Sequence, residues 1–296
     1  MDSGLPSDPL HPPIEVIAPT HYAAPVVFAS PHSGSIYPAS FLAAAQLDPV
    51  TLRRSEDAFI DELFTSAPTL GMPLIKARFP RAYVDVNREP WELDPAMFTD
   101  HLPDYVNRAS PRAHAGLGTI ARVVAAGREI YRGKLRFAEA KRRVETLYMP
   151  YHDRLEALLR EMRARWAGTV LVDCHSMPSV GGTRDRDAGR RRLDFVLGDC
   201  HGQSCASSLV DRVEKVLCDL GYTVARNDPY AGGFTTRHYG RPQDGRHALQ
   251  IEINRALYMD EQRILPRPYF ATLSLHIARV VGEIRDHART VLAQAA

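Results

Sequence analysis

Cysteine is scarce in this chain, 4 residues in 296, and no two of them form a C-x-x-C pair. That pattern argues against a disulfide framework and a ribbon-type zinc site. Charge of one sign is equally lacking, with 37 Lys+Arg against 35 Asp+Glu and a formal +2. A nucleic-acid partner usually leaves a clustered basic excess, so none is expected. No apolar run approaches the roughly 18–20 residues that a membrane span needs. Residues 1–13 lack the basic start and apolar core of a secretory signal. These absences lead to the expectation of a cytoplasmic protein with neither nucleic acid nor membrane as partner; oligomeric state leaves no mark in the sequence. What is present is material for a large core, 45% hydrophobic residues, and 12 histidines that call for an explanation.

Residues 1–13 carry Pro6, Pro9, Pro12 and Pro13 and read as a disordered arm. Residues 25–30 then form a short apolar run that stops at Pro31-His32-Ser33-Gly34, as a buried parallel strand does before a turn. Residues 169–173 repeat the shape and run into Cys174-His175-Ser176. Further strands are expected at 73–79, 82–86, 193–197, 222–225 and 248–253. Helical spacing marks 58–67, 137–166, 204–220 and 269–292, and Pro150 predicts a kink or break in the second. Strands alternating with helices indicate the α/β class, with a mixed, mainly parallel sheet covered on both faces. No repeat, low-complexity tract or linker divides residues 14–296, which are expected to form a single domain.

In open α/β sheets, ligands bind beyond the carboxyl ends of the strands. Here the two best strands both end in a histidine, His32 and His175. Two imidazoles, one carboxylate and an open position make a common catalytic zinc site. Ser55-Glu56-Asp57, at the start of a helix, offers the carboxylate, although the same residues would serve to cap that helix. Two further strand ends are rich in polar groups: Asp85 with Asn87 and Arg88, and Glu252 with Asn254 and Arg255. Glu252 lies between Ile251 and Ile253, so alternation puts it on the face opposite both. A carboxylate there is costly unless it pairs with an arginine or works beside a metal. Arginine's planar fork suits an acidic small-molecule substrate, which Arg88 or Arg255 would hold. The glycines of Asn227-Asp-Pro-Tyr-Ala-Gly-Gly233 permit either a turn or a close approach to a ligand. The basic stretch 184–192 would attract anions but reads more simply as a solvated loop. Cys200, His201 and Cys205 match no zinc spacing.

SPHSG, RxYVDVNR, DCHSM, NDPYAGG and QIEINRALYMDE occur in this order between about Pro25 and Gln262. Together they resemble the N-formylglutamate amidohydrolase (formylglutamate deformylase) family, which is similar in fold to the zinc carboxypeptidases. The resemblance implies a metallohydrolase domain over 14–296 that holds Zn2+ or another divalent metal. The implied activity is hydrolysis of N-formyl-L-glutamate to formate and L-glutamate, a step of histidine breakdown in some bacteria. It further implies that His32 and His175 bind the metal, that Glu252 activates water, and that Asn87 and Arg88 hold a substrate carboxylate. Carboxypeptidases take their acidic ligand three residues after the first histidine, where this chain has Ser35. The ligand expected instead is Asp57, with Glu56 and then Asp61 as alternates. Arg255, or an arginine of 184–192, is expected to hold the second carboxylate. His152 and His238 are candidates for weaker substrate or supporting contacts. Two rival functions remain: the same chemistry on another N-acyl amino acid or short peptide, and a non-catalytic protein that binds an acidic metabolite.

Overall fold

The chain builds a seven-stranded sheet in a computed structural model that describes residues 10–124, 127–183 and 185–292. Its strands are β1 (Ile14–Ile17), β2 (Val26–Ser30), β3 (Leu74–Ala77), β4 (Thr169–Met177), β5 (Phe195–Gly198), β6 (Val224–Arg226) and β7 (Arg246–Asn254). Across the sheet the order is β1-β3-β2-β4-β7-β5-β6. β3, β2, β4 and β7 run parallel, while β1 and the β5–β6 pair run against them. This is the mixed, mainly parallel α/β sheet that the sequence leads one to expect.

Every residue of β2 and β4 is buried, as happens when both faces of a sheet are covered. Period-two alternation divides their side chains between two cores. Val27, Ala29, Leu171 and Ala248 pack on one face with Leu155, Leu158 and Met162. Those last residues belong to a long rod made of α1 (Phe137–Arg143), a π turn (Val144–Tyr148) and α2 (Met149–Arg163). Val26, Phe28, Val172 and Ile251 pack on the other face against α3 (Ser207–Asp219) and α5 (Phe270–Leu292), the helix after the short α4 (Phe234–Tyr239).

Several local expectations are corrected. Pro150 does not end the helical run, which passes from α1 through the π turn into α2; it stands at the second position of α2, where it lacks the N–H that a regular helix would use, and the wider π turn just before it absorbs the loss. The helix expected over 58–67 is two short ones, Ile60–Leu63 and Ser66–Thr69: Phe59, at a left-handed φ of 66°, delays the start, and Phe64, at φ −98° and ψ 14°, leaves helical geometry and ends the first turn. Residues 82–86 are buried but are not a strand. There the N–H groups of Tyr83 and Val84 both donate to the Pro80 carbonyl, at 2.9 and 3.2 Å, and turn the chain. β1 was not legible, being short and only half-buried. Of the arm expected at 1–13, residues 1–9 lie outside the described residues. Residues 12 and 13 are tied to Arg78, which donates to the carbonyls of Pro12 at 2.7 Å and Pro13 at 3.0 Å. No helix among the described residues is long and apolar enough to cross a membrane.

Candidate metal centre and active site

The parallel strands bring their carboxyl ends to one edge, and there the alternating side chains turn from apolar to polar. Beyond Leu171 and Ala248, the same face of β4 presents Asp173 and His175, and that of β7 presents Gln250 and Glu252. Register sets Asp173 beside Gln250 and His175 beside Glu252, so the four form one patch. His32 enters from the neighbouring β2, two residues past the end of that strand. Asp57 is drawn in by its own backbone, whose N–H donates to the His32 carbonyl at 3.0 Å. His32 and Asp57 are each 1% exposed, His175 3% and Glu252 8%, so bulk water hardly reaches these groups.

Both Nδ1 atoms, of His32 and His175, face Asp57 Oδ2, at 3.3 and 2.9 Å. One donor atom from each of the three residues lies within 4.8 Å of the other two. Among the described residues no other group of histidine, cysteine and acidic side chains meets that condition. The far nitrogens have carboxylates behind them: Asp85 Oδ1 is 2.8 Å from His32 Nε2, and Asp173 Oδ1 is 3.0 Å from His175 Nε2. The Asp173 contact is electrostatic only, since that oxygen lies off the direction a hydrogen bond requires and accepts none. Carboxylates in this position fix an imidazole and leave its other nitrogen to coordinate. The donor set and its burial fit a divalent metal.

Burial would raise the Asp57 carboxyl, but hydrogen bonds from His175 and His32 outweigh it and hold the group well below its ordinary value. For His175 burial works downward, and Asp173 and Asp57 more than compensate, raising the imidazole well above its usual range. Glu252 forms no ion pair among the described residues, so the pairing with an arginine weighed from the sequence does not occur. It accepts one hydrogen bond, from Gln250 Nε2 at 2.9 Å. Burial pushes its carboxyl up to about 7, with His175 opposing and Asp57 adding.

The alternates to Asp57 are engaged elsewhere. Glu56 accepts from the Tyr37 hydroxyl at 2.6 Å and Arg53 Nε at 3.1 Å, and Asp61 pairs with Lys76 at 3.0 Å. Arg255, expected to contact substrate, is 6% exposed and directs its donors inward. Its Nη2 reaches Asp57 Oδ1 at 2.9 Å, Nε reaches Ser176 Oγ at 3.0 Å and Nη1 the Arg54 carbonyl at 2.9 Å. The guanidinium thus props Asp57, which corrects the expectation. The basic loop folds on its own acids, with Arg192 bonded to Asp185 at 2.6 Å and Asp187 at 2.7 Å; Arg184 lies outside the described residues. His238 is exposed and stacks on Phe234, 5.0 Å between ring centres.

Asn87 and Arg88 lie at the edge of the patch. Asn87 Nδ2 is 3.2 Å from His175 Nε2, and its Oδ1 accepts the Thr235 N–H at 2.8 Å. The paired glycines of the 227–233 loop make this possible: a Cβ on Gly233 would sit 2.3 Å from Asn87 Nδ2. Arg88 donates to the carbonyls of Leu117 and Asn87, each at 2.8 Å, and lines a cavity of about 530 Å3. The long rod braces this loop from behind. Tyr148, in the π turn, donates its hydroxyl to the Arg88 carbonyl at 2.7 Å, and His152 Nε2 donates to Val86 at 2.8 Å. Sequence reasoning missed Asp173, Gln250 and Asp85 as site residues. For the first two a signal existed, since each stands two residues before a named site residue on the same strand face.

The pattern of the N-formylglutamate amidohydrolase family matches residues 24–259. An N-formylglutamate deformylase of Pseudomonas aeruginosa is 30% identical over 277 residues, covering 92% of this chain and 95% of that one. Another, of Pseudomonas putida, is 30% identical over 209 residues, or 69% of this chain and 71% of its own. The crystal structure of an N-formylglutamate amidohydrolase from Ralstonia eutropha JMP134 is 37% identical, with a TM-score of 0.87, over 94% of this chain and 99% of that one. An Agrobacterium tumefaciens protein, 22% identical with a TM-score of 0.64, shares the fold. The matched segment contains His32, Asp57, Asn87, Arg88, His175 and Glu252, and this chain belongs to the N-formylglutamate amidohydrolase family.

Proposed function

We propose that this chain hydrolyses the formamide of N-formyl-L-glutamate, releasing formate and L-glutamate. The observation that carries this reading is the buried group of His32, Asp57 and His175, with both Nδ1 atoms turned to one carboxylate oxygen and Glu252 beside His175 in the sheet. Zinc is the assigned cation, since two imidazoles and one carboxylate are its common catalytic ligands. Bound there, a divalent cation supplies Lewis acidity toward the formyl oxygen and toward water.

The chain's own residues supply the rest. Glu252, with its carboxyl pushed up to about 7, takes a proton as water adds to the formyl carbon. It then returns the proton to the departing nitrogen as the C–N bond breaks. Arg255 and Ser176 hold Asp57 Oδ1 and so keep Oδ2 aimed at the two histidines. Arg88, with Asn87 beside it, binds the α-carboxylate, which is carried on the same carbon as the scissile nitrogen. Asn87 supports this role because it touches His175 and so sets Arg88 next to the reacting group.

The expected result is formate release from N-formyl-L-glutamate by zinc-loaded protein, far faster than acetate release from N-acetyl-L-glutamate. No formate after reconstitution with zinc refutes the proposal. A preference for the acetyl substrate moves the activity to another N-acyl amino acid.

A further inference from the structure

The cavity beside Arg88 holds more positive charge than the reaction as described so far employs. Its walls include Arg88, Glu92, Arg112, Phe234 and Arg237. Arg112 sits in a short helix, Pro111–His114, and Arg237 in α4; both are exposed. Among the described residues neither forms an ion pair, and the only side-chain hydrogen bond of Arg237 goes from Nη1 to the Gly232 carbonyl at 3.0 Å.

The acidic residues of the wall are already engaged by neutral donors. Glu92 accepts from the Ser110 hydroxyl and the Glu89 N–H, and Glu89 accepts from Asn107 Nδ2 at 2.9 Å. Two guanidinium groups therefore face the cavity without a carboxylate of the protein on either. The effect reaches Arg88: burial, and then the like charges of Arg81 and Arg112, pull it down to about 10 against Asp85 and Glu92. An anionic ligand in this space would relieve that repulsion.

Reach divides the roles. Arg88 follows Asn87, which touches His175, and so marks the end of the cavity nearest the reacting carbon. A dicarboxylic amino acid held there by its α-carboxylate extends its side chain toward the remaining wall. We propose that Arg112 and Arg237 form the pocket for the side-chain carboxylate of the substrate, and so determine the preference for an acidic over a neutral N-formyl amino acid. This rests on the hydrolytic reading above. Phe234 supplies an apolar wall for the methylene groups between the two carboxylates.

The experiment compares N-formyl-L-glutamate with N-formyl-L-glutamine, which keeps the shape and removes the side-chain charge. Wild-type zinc enzyme, Arg237→Met, Arg112→Met and the conservative Arg237→Lys are each assayed for formate release. The wild type should favour glutamate by about 100-fold or more, as sites built for a charged group reject the neutral analogue. Each methionine variant should lose about 10- to 100-fold in kcat/KM on glutamate, mainly through KM, and less than about 3-fold on glutamine. Arg237→Lys should recover part of the preference. Equal losses on both substrates, or unchanged preference in both methionine variants, overturn the assignment while leaving the hydrolytic reading intact. A wild-type enzyme inert toward both substrates removes the hydrolytic reading and this pocket with it.

Discussion

Alanine at Gly233 tests how closely the 227–233 loop must approach the site. The added methyl carbon would lie 2.3 Å from both Nδ2 and Oδ1 of Asn87, a distance that no pair of these atoms tolerates. Gly233 has φ −88°, which alanine adopts freely, so the perturbation is steric and not a backbone penalty. Asn87 is 4% exposed and cannot slide aside in place, because Oδ1 holds the Thr235 N–H at 2.8 Å while Nδ2 rests against His175. Relief requires the amide to rotate out, which leaves the buried Thr235 N–H unsatisfied at a cost of ~1–3 kcal/mol. If the cost falls on the substrate-binding arrangement, kcat/KM drops by about 5- to 150-fold. The assay pairs formate release with urea unfolding. A second variant, Gly233→Ala with Asn87→Ala, removes the clash but also the acceptor of the Thr235 N–H, so it should be no more stable than Gly233→Ala and should not regain activity. Unchanged activity and unchanged stability in Gly233→Ala would refute the reasoning, as would a crystal structure of that variant with Asn87 undisturbed.

Four further outcomes are expected. Glu252→Gln should keep its zinc and lose about 10²- to 10⁴-fold in kcat, the range of a general base; full turnover in that variant rejects the role. Glu252 works only when ionised, so kcat/KM should fall tenfold per pH unit on the acid side of its pKa. The carboxyl stands at about 7 without metal and a bound cation draws it lower, so that limb belongs at or below about pH 7, and one centred above 8 contradicts the assignment. Asp57→Asn should abolish stoichiometric zinc, measured by mass spectrometry of the metal, whereas Glu56→Gln and Asp61→Asn should retain it; the reverse pattern moves the ligand. His175 is raised well above its usual value by Asp173 and Asp57 and must lose a proton to coordinate, so zinc affinity should weaken as pH falls. Calorimetry in buffers of different ionisation enthalpy should detect the released proton, and its absence would speak against imidazole coordination.

The sequence exposed whatever depends on local periodicity. The strands carrying His175 and Glu252 are legible because each is a buried run, and alternation alone puts Glu252 opposite Ile251 and Ile253. A histidine just beyond one parallel strand and another near the end of its neighbour share an edge, a consequence of topology that α/β alternation already implies. Long-range geometry was less accessible. Nothing local distinguishes Asp57 from Glu56; the choice is made by the backbone bond to His32 and by Tyr37 and Arg53 taking the other carboxylate. Arg255 looked like a substrate ligand because an arginine at a strand end looks the same whether it faces a cleft or props a buried carboxylate. Residues 82–86 imitate a strand, since complete burial produces an apolar run whether hydrogen bonds form a ladder or a turn. Arg112 and Arg237 gave no signal, as the cavity they share is assembled from segments more than a hundred residues apart.

The π turn at Val144–Tyr148 divides one continuous rod into two differently indexed halves. Each residue of an α-helix advances the face by ~100°, so a widened turn shifts the phase of everything before it. The first half is keyed to an aromatic box, where Arg143 lies 3.9 Å from the ring centre of Tyr83 and donates to the Tyr131 hydroxyl at 2.7 Å. The second half is keyed to the loop of Arg88 through His152. Deleting the exposed Thr146 would remove the extra residue of the π turn, so only one of the two keys could stay in its lock, and Pro150 would then meet the regular helical geometry it cannot complete. Such a change acts as a gear slip: the two halves rotate against each other, and the Arg88 loop loses its brace or Arg143 loses its box. Length changes at this point in the chain would therefore alter catalysis or stability by rotation, with no side chain of the active site replaced.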